Sequence, residues 1–166
     1  MDGNSLVKKA RAGDREAFAS LYIQYRDSLY RYAYYKLRSA EDAKDAVSAC
    51  VVQAYMGIAS VKNEKAFSAW LFRILYRECC AVIRKKARLQ FAEIDENRCI
   101  VPDSTYLRSE LSEALDSLAT EDRDIVLLSV LAGCNSNEIA AMFRMKPATV
   151  RSRLSRALAK MREFLE

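Results

Sequence analysis

Between Arg144 and Arg162 the chain carries seven basic side chains and no acidic one, spread at helical intervals. The chemistry open to such a stretch is recognition: guanidinium and ammonium groups neutralise phosphates, and an arginine fork can read a guanine edge. At about 100° per residue, Val150, Leu154, Ala157, Leu158, Met161 and Leu165 fall into one apolar stripe. The opposite face carries Ala148, Ser152, Ser155 and Ala159, small residues that let a helix approach base edges closely. Thr149, Arg151, Arg153, Arg156, Lys160 and Arg162 flank that face. This pattern predicts base contacts from Arg151, Ser152 and Ser155, and phosphate contacts from Lys146, Arg153 and Arg156, with Thr149 beside them and Arg144 within reach of the backbone. A merely solvated basic face would show the same charge. The small-residue face and the signals around the helix favour DNA.

A second constellation lies nearer the N-terminus, where Phe67, Trp70, Phe72 and Tyr76 interleave with Lys65, Arg73, Arg77 and Arg84. Aromatic faces beside cations suit single-stranded DNA, whose bases stack while its phosphates are neutralised. The competing use of the same aromatics is to fill a helical core. Catalytic constellations are missing from the sequence: it has no histidine and no Gly-rich phosphate loop. The five cysteines, Cys50, Cys79, Cys80, Cys99 and Cys134, include no C-x-x-C pair. They are expected to act as small, reduced apolar residues, with no metal and no cofactor.

The elements that must position these residues are helical. With four Gly and two Pro in 166 residues, the chain is poor in turn formers, which argues for long helices and short connections. An all-α fold is expected, built as two small helical domains over 1–88 and 107–166 with a linker at 89–106. In the first, a short helix is expected over 4–12, capped by Asn4 or Ser5. Asp14 caps a second helix running to Leu37. Ser39 caps a third running toward Gly57, with Asp42 in the place of a capping-box acid. A fourth spans 64–88. The second domain offers helices near 106–118, 121–132, 136–143 and 147–165. Asn135 and Glu138 there have capping-box spacing, and Pro147 stands at a first helical position, where its missing N–H costs nothing. Two short helices around a tight turn, the second strongly basic, form a helix-turn-helix signature.

Charge is polarised within the second domain. Residues 107–143 hold two basic and seven acidic side chains, whereas 144–162 hold all-basic charge, on a chain whose net charge is +5. Such a split marks one helix for a polyanion partner. No apolar run approaches the roughly 20 residues that span a bilayer, and MDGNSLVKKARAGD lacks the apolar core of a secretory signal. A cytoplasmic protein without membrane insertion is therefore expected.

The stretches AEDAKDAV, FSAWLFRILYR and TVRSRLSRAL, together with LDSLATEDRDIVLLSVLAGCNSNEIAAMF, resemble the sigma-70 family of bacterial RNA polymerase specificity factors, in its extracytoplasmic-function group. The resemblance implies a non-enzymatic alternative sigma factor made of regions two and four. Region two would dock on the β′ clamp helices through the helix of Asp42 and Asp45. The loop from Ala59 to Lys65, with Asn63, would hold a flipped-out base of the minus-10 element. The start of the fourth helix would give Lys65, Phe67, Trp70, Arg73 and Arg77 contact with the non-template strand. Region four would read the minus-35 duplex, its acidic helices facing the polymerase β flap, and an anti-sigma protein is an expected partner. The chain departs from the family pattern at Ser48 and Ala49, at Arg77 and Ala81, and at Arg144 and Ala148, where glycines are frequent. The alternative kept open is a helix-turn-helix regulator acting without polymerase.

Overall fold

In this computed structural model, residues 2–92 and 109–166 are described, and the regular elements among them are all helical. The helices are α1 (Gly3–Arg11), α2 (Arg15–Leu37), α3 (Ala40–Gly57), α4 (Phe67–Ala92), α5 (Glu110–Asp116), α6 (Thr120–Val130), α7 (Ser136–Phe143) and α8 (Pro147–Leu165). They fall into two compact units, Met1–Tyr106 and Leu107–Glu166. Most of the segment read as a linker lies outside the described residues. Its first four residues, 89–92, continue α4 as helix. That extension has a simple cause: Ala87, Arg88, Leu89 and Gln90 are good helix formers, and no Gly or Pro interrupts them.

Helix starts in the first unit are set by short polar side chains. α1 is capped by Asp2, which accepts from the Ser5 N–H at 2.8 Å, so neither Asn4 nor Ser5 is the cap. An Asp immediately before the first helical residue satisfies a free N–H that a residue already inside the helix cannot reach. Asp14 caps α2 through the Ala17 N–H, as its position implies. α2 ends at Arg38 in the left-handed region (φ 58°), and Ser39 at once caps α3 by accepting from the Asp42 N–H at 3.1 Å. The carboxylate of Asp42 does not complete a capping box. It pairs with Lys86 of α4.

α2, α3 and α4 bury a common core of Leu21, Leu29, Tyr32, Phe72 and Leu75, with Tyr32 and Phe72 in edge-to-face contact at 5.9 Å. Ala43, Ala46 and Ala54 line the buried side of α3 and let its backbone approach its neighbours. The Asp42–Lys86 ion pair and the Gln53–Glu78 hydrogen bond fix α3 and α4 antiparallel. α1 packs against α2 and the turns before α4, and Arg11 reaches Glu64 at 3.5 Å.

In the second unit α5 and α6 form a helical hairpin whose corner is held by Arg123, donating to the carbonyls of Leu115 (3.0 Å) and Leu118 (3.4 Å). Ile125 and Leu128 of α6, Ile139 of α7 and Val150 of α8 are fully buried. α5 and α6 are shorter than the sequence pattern implied, with α6 stopping at Val130, two residues before the buried Ala132. Replacing Ile125 by Ala should destabilise this unit by about 2–4 kcal/mol. Val130→Ala, at a side chain 63% exposed on the same helix, should stay within about 0.5 kcal/mol. Urea titration followed by circular dichroism checks both.

Candidate nucleic-acid interface

The turn between α7 and α8 is built from both ends. Asn135 and Glu138 make a reciprocal capping box: Asn135 Oδ1 accepts from the Glu138 N–H at 2.8 Å, and Glu138 Oε1 accepts from the Asn135 N–H at 3.0 Å. α7 ends at Arg144 in the left-handed region (φ 53°), and the Met145 N–H closes back onto the Ala140 carbonyl at 3.1 Å. Lys146 is extended and leads into Pro147 at the first turn of α8. The chain thereby reverses within a few residues and delivers α8 across the domain.

α8 is held by Val150, Ala157 and Met161, which are buried, with Leu154 half-buried. The expected apolar stripe is shorter than the sequence suggested. Leu158 and Leu165 are 39% and 46% exposed, since Leu158 lies at the stripe's edge and Leu165 in the last turn. The opposite face is open. Ala148, Ser152, Ser155 and Ala159 are exposed, as are Arg144, Lys146, Thr149, Arg151 and Arg156 around them.

Arg153 has a different situation. Its Nε donates to Asp122 at 2.8 Å and its Nη1 lies 3.2 Å from Glu121, both in the first turn of α6. The guanidinium expected to hold a phosphate is thus paired here with two carboxylates. Two turns on, Lys160 donates to the Ser117 carbonyl at 2.7 Å. The sequence signal for both was available: Arg153 and Lys160 are seven residues apart, on one side of α8, and Glu121-Asp122 opens a helix whose cap position, Ala119, has no side-chain acceptor.

In the first unit the aromatics divide between core and surface. Phe67 is 2% exposed and packs on Tyr25 (5.4 Å) and Trp70 (6.0 Å), so it has no face to offer a base. Phe72 is buried as well. The periodicity that put them beside cations is the periodicity of the bundle core. Trp70 is half-buried, its ring 3.5 Å from where a Cβ on Gly57 would stand. Tyr76 is half-buried under the Lys36 ammonium, 5.1 Å from the ring centroid. Lys65, Arg73 and Arg77 are exposed. Asn63 is exposed too, but its Oδ1 is engaged, accepting from the Ala66 N–H at 2.9 Å to cap the short turn before α4. On α3, Asp45 is exposed while Asp42 is half-buried in its pair with Lys86.

Burial, then the nearby charges of Glu78 and Glu138, push the thiols of Cys50 and Cys134 up to about 12. Cys99 lies outside the described residues, and among the described residues no three His, Cys, Asp or Glu side chains gather as metal ligands. Nor is any described helix long and apolar enough to cross a membrane.

An exposed cationic helix, seated by a capped turn on a small helical unit, defines a helix-turn-helix protein. Residues 21–89 match the model for Sigma-70 region 2, and residues 108–161 match the model for Sigma-70, region 4. The chain belongs to the sigma-70 family, in its extracytoplasmic-function group. It is 29% identical over 156 residues to the ECF RNA polymerase sigma factor SigM of Mycobacterium tuberculosis, covering 93% of this chain and 80% of that one. It is 24% identical to the ECF sigma factor SigW of Bacillus subtilis, covering 96% and 94%. Among solved structures it resembles the sigma factor RpoE of Bartonella quintana, solved in complex with the anti-sigma factor NepR, with a TM-score of 0.72, 25% identity, and coverage of 89% and 96%.

Three outcomes are expected. In the folded chain, iodoacetamide at pH 8 should modify half-exposed Cys80 well before Cys50 or Cys134, as read by peptide mass spectrometry. The buried thiols keep their protons at pH values where unfolded thiols, at 9.0, lose them, so their contribution to stability is intact below pH 9 and falls as pH rises toward 12. That added loss should vanish in a Cys50→Ala/Cys134→Ala variant. Separately, Arg144→Gly relieves a left-handed non-glycine residue and should stabilise the second unit by about 1 kcal/mol, measured by thermal melting.

Proposed function

We infer that this chain is an alternative sigma factor: it binds core RNA polymerase and directs initiation at a specific class of promoters. The observation that carries the reading is the pairing, in one chain, of a region-two bundle with a region-four helix-turn-helix whose small-residue, cationic face is open. As a sigma factor it performs no bond-making itself; the polymerase synthesises the transcript. It works in the cytoplasm beside that polymerase, and an anti-sigma protein is a natural partner, since the similar RpoE was solved with one.

On this reading Arg151, Ser152 and Ser155 contact base edges of the minus-35 duplex, while Arg144, Lys146, Thr149 and Arg156 hold its phosphates. What supports the assignment is their shared exposure on α8 and the turn before it. Lys65, Arg73 and Arg77 neutralise the melted minus-10 strand, with Trp70 as the stacking surface; Phe67 is withdrawn from that set by its burial. Asn63 shapes the loop that takes the flipped base. Asp45 faces the β′ clamp helices, with Asp42 behind it holding α3 to α4. The acidic helices of the second unit turn toward the β flap. Stacking is worth roughly 1–3 kcal/mol per base, so capture of a few bases offsets the melting of several pairs.

The alternative, a regulator that binds operators without polymerase, is separated by run-off transcription with purified core enzyme on a promoter library. The full-length chain should yield specific transcripts. Arg151→Gln should cost about 1–3 kcal/mol and relax specificity at one position. Lys146→Gln should weaken all sites alike and lower the salt slope of binding by about 0.9. Operator binding by the chain with no affinity for core enzyme would overturn the reading.

A further inference from the structure

The apolar anchor of α8 is a single line. Val150, Ala157 and Met161 lie along one stripe with half-buried Leu154, and two of the buried three are a methyl group and a flexible thioether. Such a line fixes the height of a helix over its domain better than its rotation about its own axis. Rotation matters for readout: with side-chain tips about 5–6 Å from the axis, a turn of about 20° displaces them by about 2 Å, enough to break a hydrogen bond. The two ties from α8 to the α5–α6 corner, Arg153 to Asp122 and Glu121, and Lys160 to the Ser117 carbonyl, lie on the same side of that line. They oppose rotation in the way a side brace opposes rolling.

We propose that Arg153 is a positioning residue for duplex readout, its fork on Asp122 and Glu121 setting the rotation at which Arg151, Ser152 and Ser155 face the bases. This rests on the DNA-reading assignment of α8 and adds a division of labour within one basic helix: Arg151 and Arg156 face outward, while Arg153 faces the domain. Two carboxylates at 2.8 and 3.2 Å already neutralise the guanidinium, and a phosphate would have to displace both. The pairing also offsets part of the negative charge of Glu121 and Asp122, which would repel the same phosphates.

The test uses the full-length chain and a duplex that the wild type selects from a randomised pool, with binding measured across salt concentrations. Arg153→Gln should weaken binding about tenfold while leaving the slope of log affinity against log salt unchanged, whereas Arg156→Gln lowers that slope by about 0.9. Discrimination between the selected duplex and single-base-pair variants should fall about tenfold in Arg153→Gln, a loss that lower stability alone does not produce in protein shown to be folded. Glu121→Gln/Asp122→Asn should reproduce the loss of discrimination, and adding Arg153→Gln to it should cost nothing more. A reduced salt slope in Arg153→Gln, or tighter binding when the two acids are neutralised, would make Arg153 a phosphate ligand and overturn the proposal. So would unchanged discrimination in folded Arg153→Gln. If the wild type selects no duplex, with or without core polymerase, the DNA-reading assignment itself fails and the brace falls with it.

Discussion

A helix that reads duplex DNA must be held by one face only, and on the proposed reading that constraint falls on α8. Its buried residues are few, and the structure compensates with polar ties to the neighbouring helices. A half-exposed ion pair adds little to stability, on the order of 0–1 kcal/mol. Its value here is directional, because a fork onto two carboxylates has a preferred geometry and an apolar stripe does not. The tight turn before α8 serves the same end. Asn135, Glu138, Arg144 and Pro147 each fix one backbone feature, so little freedom remains in where the helix begins.

The first unit meets a related demand by different means. Its aromatic side chains must close a core among α2, α3 and α4 and, on the proposed reading, still leave a surface for a single strand. The division is made by position on α4: Phe67 and Phe72 turn inward, while Lys65, Arg73 and Arg77 remain outside and Trp70 sits at the margin. The loop before α4 is shaped from two directions, by Asn63 capping the turn and by Arg11 of α1 pairing with Glu64. α1 thereby belongs to the loop's support, although in sequence it is a short amphipathic segment far from it.

Much of this was legible in the residues because local rules governed it. Asp14, Ser39, Asn135 and Pro147 act where their side chains or ring act on the nearest backbone, and they mark helix starts correctly. Where long-range contacts decide, the sequence was ambiguous. Phe67 has the type and spacing of a stacking residue and of a core residue, and only the position of Tyr25 across the bundle resolves which. Arg153 sits in a basic helix like its neighbours, and its assignment depends on two acids some thirty positions earlier. α1 begins earlier than expected because Asp2 competes with Asn4 and Ser5 for the same role, and α4 runs longer because nothing in Ala87–Gln90 stops it.

The charge split of the second unit follows from the same geometry. Acidic residues gather in α5 and the first turn of α6, and basic ones in α8, so the small unit has an electrostatic direction. Screening at physiological salt confines each field to about 8 Å. The acids therefore do not weaken the far face of α8, yet they repel phosphate from the α5–α6 side at close range. On the proposed reading, a duplex approaching in the wrong orientation would meet that repulsion before any base contact, which is specificity obtained by exclusion. At the junction of α6 with α8 the two signs meet, and there Arg153 offsets part of the charge of Glu121 and Asp122. On the proposed reading, the pairing that orients the helix also lowers the acidic charge beside it.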